Sequence, residues 1–324
     1  MKKAFVFSLL SALLFLLVAC SSGKAQSGEE VIEVKQVLDW FPQPTHGGLY
    51  AAQSKGYFED ENLNVQIDQG GPQVSSPQIV ASGKADFGMT TGDALLQARD
   101  EGIPIVAVGA FMQKSPIALF FHKGQEIDDF DDLNDRSVYA VLYAPYWDYI
   151  KNKTDIPGLK EFEFTGQYTN FLADQSSLVQ GYVTNTPYYM AQQSIEVDHL
   201  LVADTGYNPY MTVIFTTEKL AKENPELVKS YLKQVVKGFE EYEDNYAEIN
   251  EEILKANPNQ TIEALNEESR AQLDYVYGNN FKDQIGLMDE KRWEETIQQL
   301  YELNVLKNKE DAGNVFTNEF LPKN

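Results

Sequence analysis

The chain has 324 residues, a formal net charge of −23 at pH 7 and a single cysteine. A surface this acidic repels nucleic acid and anionic lipid headgroups, which argues against a nucleic-acid binder and against electrostatic capture of a polyanion. One thiol rules out a disulfide within the chain, so stability must rest on a hydrophobic core, and the length favours two lobes over one.

Lys2 and Lys3 precede an apolar run from Ala4 to Ala19 that ends in Leu17-Val18-Ala19-Cys20. A basic start, an apolar stretch too short to span a bilayer comfortably and a small residue before the cut predict a signal peptide over 1–20. Cys20 sits where a bacterial lipoprotein signal places its lipidated residue, which would hold the chain on the outer face of the cell membrane; an incidental cysteine in an uncleaved anchor is the alternative. Ser21 to Glu30 is small, polar and charged, and reads as a flexible tether over 21–30.

From Val37 to Phe58 an apolar strand runs into a loop punctuated by Pro42 and Pro44, then into a short amphipathic helix. Asp39 to His46 therefore falls at a strand's carboxyl end, where ligands bind in open α/β sheets. The prolines fix the loop backbone while Trp40 and Phe41 offer two flat faces to a planar ligand, unless both rings are simply core.

Beyond the tether, strands are predicted at Val31 to Leu38, Val65 to Ile67, Phe87 to Met89, Ile105 to Phe111 and Ile117 to His122. Helices at about Gly48 to Ser54, Val74 to Ser82 and Asp93 to Glu101 lie between them. This alternation is the pattern of a mainly parallel sheet covered on both faces. Thr90-Thr91-Gly92-Asp93 offers hydroxyls and bare N–H groups to an anion or acceptor, or else Thr91 or Asp93 merely caps the next helix. The Asp128-Asp129-Phe130-Asp131-Asp132 cluster lacks the spaced oxygens and glycine of a calcium loop and reads as a solvated helix start. Further strands are predicted near Val138 to Leu142, Phe162 to Phe164, Gly181 to Thr184, His199 to Val202 and Met211 to Thr217. Asn224-Pro225 opens a helix whose Leu227, Tyr231, Val235, Phe239, Tyr242, Tyr246, Ile249 and Ile253 recur three or four apart, a core-facing stripe. Another helix spans about Asp289 to Leu303. There is no internal sequence repeat.

Catalytic motifs are missing. The three histidines, His46, His122 and His199, lie far apart, and no zinc-protease, nucleophile-elbow, phosphate-loop or dinucleotide signature occurs. No companion ligands are spaced to make His46 a metal site, and a fixed hydrogen bond near the helix start suits it better. The sequence thus predicts a protein that is not an enzyme, with no metal and no cofactor. What it does carry is aromatic and amide chemistry at strand ends: Trp40, Phe41, Gln43 and His46, then Thr90, Thr91 and Phe111, then Tyr143, Tyr146, Trp147, Asn185, Tyr188 and Tyr207. These could sandwich a planar heterocycle and hydrogen-bond its edge.

Leu38-Asp39-Trp40, the nearby His46, Gly48-Leu49-Tyr50, Lys55-Gly56-Tyr57-Phe58 and Glu61-Asn62-Leu63-Asn64-Val65 form a recognisable series. With Ala81-Ser82-Gly83-Lys84-Ala85-Asp86-Phe87-Gly88 and Gln180-Gly181-Tyr182-Val183-Thr184-Asn185, it resembles the solute-binding lipoproteins of bacterial ABC importers, in the NMT/THI-like branch. The likeness runs from about Glu33 to at least Thr217. It implies an α/β, two-lobed periplasmic-binding-protein-like (type II) fold with a helical C-terminal region. Lobe 1 would comprise 31–122 and 211–324, and lobe 2 residues 123–210, with two crossovers forming a hinge that lets the lobes close on a ligand. It also implies a monomer that serves an ABC permease and its ATPase. The solute implied first is a thiamine-related pyrimidine precursor. Alternatives are a riboflavin-like or other aromatic heterocycle, or a small sulfonate or nitrate at Thr90-Thr91. The same family includes pyrimidine synthases that use pyridoxal phosphate and a run of closely spaced cysteines, which this chain lacks, so an exported pyrimidine-metabolising enzyme is the alternative of another class. Two positions depart from many precursor binders: Gln43 replaces an Asn after the loop proline, and Thr186-Pro187 replaces a Glu after Thr-Asn, removing a carboxylate partner for an aminopyrimidine edge.

Overall fold

The structure, a computed structural model, describes residues 31–278 and 284–323. The predicted signal peptide, Cys20 and the tether lie outside the described residues. The strands are β1 (Ile32–Val37), β2 (Leu63–Asp68), β3 (Phe87–Thr90), β4 (Ile105–Met112), β5 (Ile117–His122), β6 (Ser137–Ala140), β7 (Lys160–Glu163), β8 (Leu178–Tyr182), β9 (Val197–Leu201) and β10 (Met211–Thr217). They form two five-stranded sheets, ordered β2-β1-β3-β10-β4 and β7-β6-β8-β5-β9. The two orders are the same topology written twice, a repeat of structure that the sequence does not display.

Each sheet is mainly parallel, as expected, with four strands running one way and a single strand reversed. β1 runs parallel to β2 and β3, whereas β10 is antiparallel to β3 and β4. In the second sheet β6 runs parallel to β7 and β8, and β5 is antiparallel to β8 and β9. The reason is the crossover. Strands whose carboxyl ends face the gap between the sheets must be joined by one that starts at the gap, and that strand can only run the other way. β5 is the second sheet's entering strand, with Leu119 opposite both Gln180 and Leu200. The expected placement of Ile117 to His122 in the first lobe is therefore corrected: the first crossing lies at 113–116. The second lies just before Met211.

The helices are α1 (Gly47–Ser54), α2 (Ser76–Ala81), α3 (Gly92–Asp100), α4 (Pro145–Lys153), α5 (Thr169–Ala173), α6 (Thr186–Gln192), α7 (Glu218–Glu223), α8 (Pro225–Ala256), α9 (Ile262–Val276) and α10 (Glu290–Glu302). Among the described residues none is long and apolar enough to cross a membrane. The predicted stripe of α8 does face the core: Tyr231, Val235, Phe239, Tyr242, Ile249 and Ile253 are buried, although Asn245 (φ −123, ψ 21) interrupts the helix. α1 lies hard against it. A Cβ on Gly238 would stand 2.0 Å from the Gly48 carbonyl oxygen, and one on Gly48 would strike the Phe239 ring, so glycines set this close approach. Because α1 continues directly from the Trp40 loop, that packing also fixes the loop's far end.

β4 is buried along its whole length although it closes the sheet. Its free edge is covered by the C-terminal segment, where the Ala107 N–H donates to Val315 O (2.9 Å) and the Thr317 N–H to Ala107 O (2.9 Å). The two crossings are tied together by Arg292, whose guanidinium donates to the carbonyls of Asn208 (2.8 Å), Gln113 (2.5 Å) and Pro209 (3.2 Å). The Asn208 side chain in turn accepts from the Ser115 N–H at 2.8 Å. α9 has no counterpart among the predicted elements. Its signals are in the sequence all the same: Thr261 caps it by accepting from the Ala264 N–H (3.2 Å), and Ile262, Leu265, Leu273 and Val276 keep a helical spacing.

Candidate ligand-binding cleft

The loop after β1 is held from both ends and from behind. The Gln43 N–H donates to His46 Nδ1 at 3.2 Å, so that nitrogen accepts and the proton sits on Nε2, which donates to Asp39 Oδ1 at 2.8 Å. His46 is fully buried and aims this carboxylate. The Pro42 and Pro44 carbonyls accept from the Asn257 amide (2.9 Å) and the Gln272 amide (2.8 Å), so the C-terminal helices grip the loop's back. The prolines stiffen the loop, and these two amides fix where it stands. Trp40 is left 43% exposed, with Phe41 edge-on to it at 5.6 Å.

Between the two sheets lies a cavity of about 290 Å³, lined by Asp39, Trp40, Gln43 and Thr45 from this loop and by Thr91 at the start of α3. The crossings add Met112, Pro116, Met211 and Thr212; the second lobe adds Tyr182, Thr184 and Asn185; α9 adds Glu268. Trp40, Gln43, Thr91 and Asn185 are thus the predicted residues that the structure brings together. Thr212, a β-branched residue held at φ 53, marks local backbone strain where the chain re-enters the first sheet beside the cavity.

The other predicted residues stand elsewhere. Phe41 covers Gly71 on the loop after β2, and Thr90 is buried beside the cleft, lining a neighbouring cavity of about 360 Å³ that shares Asp39. Phe111 is core, stacked on Phe239 with ring centroids 4.3 Å apart. Tyr146, 3% exposed, donates to Gln180 Oε1 at 3.2 Å, and Tyr207, 1% exposed, donates to Asp93 Oδ2 at 3.1 Å. Trp147 is buried on α4, with its indole N–H on the Glu161 carboxylate at 2.6 Å. Tyr143 is 83% exposed and Tyr188 packs edge-on beside Tyr189 (5.8 Å); neither lines the cavity. Residue type and order marked these aromatics; the direction of each side chain was set by packing.

The electrostatics are one-sided. Asp39 and Glu268 line the cavity, and among the described residues no Lys, Arg or His does. The helix start at Thr91 is also spoken for, because Asp93 accepts from the Ala94 N–H at 2.9 Å and bonds the Thr91 hydroxyl. Tyr182 keeps 38% of its surface exposed, yet its hydroxyl is sunk among protein atoms and near Asp39 and Asp93, which raises its pKa to about 12. Glu268, 5% exposed, has its pKa raised to about 7 by burial, with the Asn185 amide donating to it and pulling the other way. A second carboxyl thus reaches the cavity from α9.

The Glu268 shift carries a stability prediction. A carboxyl whose native pKa lies above its unfolded value of about 4.3 binds more protons folded than unfolded, so its contribution is whole below that value and is lost as pH rises through about 7. Glu268→Gln removes this dependence. Urea unfolding of the ligand-free protein is expected to show the variant gaining on the parent by up to about 3 kcal/mol between pH 5 and pH 8. An equal difference at both values would place Glu268 in water.

Residues 43–248 match the family described as NMT1/THI5 like. The chain belongs to this family. Among curated relatives, the riboflavin-binding protein RibY of Chloroflexus aurantiacus is 26% identical over 313 residues, covering 90% of this chain and 86% of the relative. The formylaminopyrimidine-binding protein of Halalkalibacterium halodurans is 24% identical over 315 residues, covering 93% and 94%. The NMT1/THI5-like chain also matches a 4-amino-5-hydroxymethyl-2-methylpyrimidine phosphate synthase of Legionella pneumophila, 20% identical with 89% and 92% covered. Among solved structures, the periplasmic aliphatic sulphonate binding protein SsuA of Escherichia coli superposes with a TM-score of 0.67 at 13% identity, over 89% of this chain and 99% of that one. At that identity the likeness shows the periplasmic-binding-protein fold alone.

Proposed function

We propose that this NMT1/THI5-like chain is the extracytoplasmic solute-binding component of an ABC importer. It captures a small planar heterocycle between its lobes and delivers it to a membrane permease driven by an ATPase, as a monomer tethered through lipid on Cys20. The observation that carries the reading is a cleft with an exposed Trp40 and two carboxyls, Asp39 and Glu268, that face no cation among the described residues. A ring with N–H donors on its edge satisfies such a site, whereas a sulfonate or nitrate meets two carboxylates and a helix start already capped by Asp93. At about 290 Å³ the cavity sits at the bottom of the ~300–1,000 Å³ range of ligand pockets, which suits one substituted ring. A thiamine-related pyrimidine is the first choice, in keeping with the formylaminopyrimidine-binding relative. A larger flavin, as in the name of RibY, needs wider lobes.

The reading is binding without turnover. The pyridoxal phosphate of the synthase branch finds no lysine for its aldehyde and no cation for its phosphate among the lining residues. Native mass spectrometry of the purified protein, followed by denaturing release, tests this directly. A ring-containing small molecule recovered unchanged after incubation supports the reading. A converted product, or a protein that is empty and whose melting temperature ignores pyrimidines and flavins alike, overturns it.

A further inference from the structure

Glu268 is buried in the cavity wall. From the second lobe the Asn185 amide donates to it; Tyr189 on α6 and Tyr242 on α8 lie within electrostatic reach; Asp39 is the other ionisable group of the cavity lining besides Tyr182. None of these is a cation. A carboxyl in a low-dielectric wall without a counter-charge is costly to ionise unless the ligand brings the positive charge or the donors. The nearby Asp39 carboxylate adds to the pull on a protonated ring.

We infer that Glu268, steadied by Asn185, is the specificity-determining residue of the cleft and reads an amidine-type edge, a basic ring nitrogen beside an exocyclic amine. The inference rests on the solute-binding reading and deepens it. Such an edge and a carboxyl share one proton across two parallel hydrogen bonds. The proton stays on the carboxyl oxygen or moves to the ring nitrogen, and in the second arrangement the pair is charge-assisted, roughly twice as strong as a neutral one. A lactam edge, carbonyl beside N–H, has no basic nitrogen and makes only the neutral pair. The carboxyl therefore separates two rings of nearly the same shape. The recognising group comes from α9 and its support from the facing lobe, so the bound edge also bridges the two halves of the clamshell.

The test is a matched pair of probes, 4-amino-2-methylpyrimidine and 2-methylpyrimidin-4-one, titrated by calorimetry into the parent and into Glu268→Gln. The parent is expected to prefer the amino ring by at least about tenfold, and Glu268→Gln, which keeps shape but makes only neutral bonds, to bind the two within about threefold. A gap that survives in Glu268→Gln overturns the inference, because a merely structural Glu268 weakens both probes alike. Binding of riboflavin with neither pyrimidine bound overturns it while leaving the solute-binding reading in place. No response to any of the three removes both.

Discussion

Trp40→Ala is expected to weaken ligand binding at least about tenfold and to leave the melting temperature within a degree or two. A tryptophan face in a desolvated cleft commonly supplies 2 kcal/mol or more of the binding free energy, through area and offset stacking that an alanine cannot replace. The fold hardly depends on this ring. It is 43% exposed, and the loop beneath it is held by the His46–Asp39 bond and by the Asn257 and Gln272 amides, none of whose bonds is made to the indole. The change is convenient to follow, since the chain's other tryptophans, Trp147 and Trp293, are buried at 0% and 1% exposure. Ligand-induced change in tryptophan emission should therefore come from Trp40 and vanish in Trp40→Phe, while calorimetry reports the affinity. Unchanged affinity in Trp40→Ala would take this residue out of the site.

Phe239→Ala should act on stability instead, by about 3–5 kcal/mol, the usual cost of emptying an aromatic core position. The upper part of that range is expected here. The ring is stacked on Phe111 at 4.3 Å and lies beneath Gly48, so on one side its neighbour is bare backbone with no side chain able to swing into the void. Collapse would require α1 to move, and Gly238 already holds that helix at the closest approach the backbone allows. Urea unfolding should show the midpoint falling with the slope unchanged. A loss below about 1 kcal/mol would mean that α1 and α8 repack freely, and with them the far end of the Trp40 loop.

The contrast between these two positions shows how far residue patterns reach. Phe239 was legible because helical periodicity averages over many positions, and the buried stripe along α8 follows from it. The loop that carries Trp40 was legible through local order, a strand followed by two prolines, but that order left open whether its rings were core; the Leu38-Asp39-Trp40 resemblance is what singled out Trp40. Phe111, Tyr146 and Tyr207 were equally good candidates by residue type, yet each turns inward to a partner, Phe239, Gln180 and Asp93 respectively. Nothing local distinguishes an aromatic that lines a cleft from one that packs behind it, because both follow the same strand ends.

The α/β alternation, most strand and helix positions, the C-terminal helical stripe and the loop that carries Trp40 can all be read from residue order, because they are governed by interactions within a few residues of chain. Tertiary structure decided the rest. It turned β5 and β10 antiparallel because a crossing strand must start at the gap, and it moved Ile117 to His122 into the second sheet. It also brought Glu268 more than two hundred residues from Asp39 to the same cavity, on a helix whose own pattern says only that it has a buried face. A ligand site of this kind is built from contacts far apart in the chain, and only the packing of the lobes and the C-terminal helices supplies them.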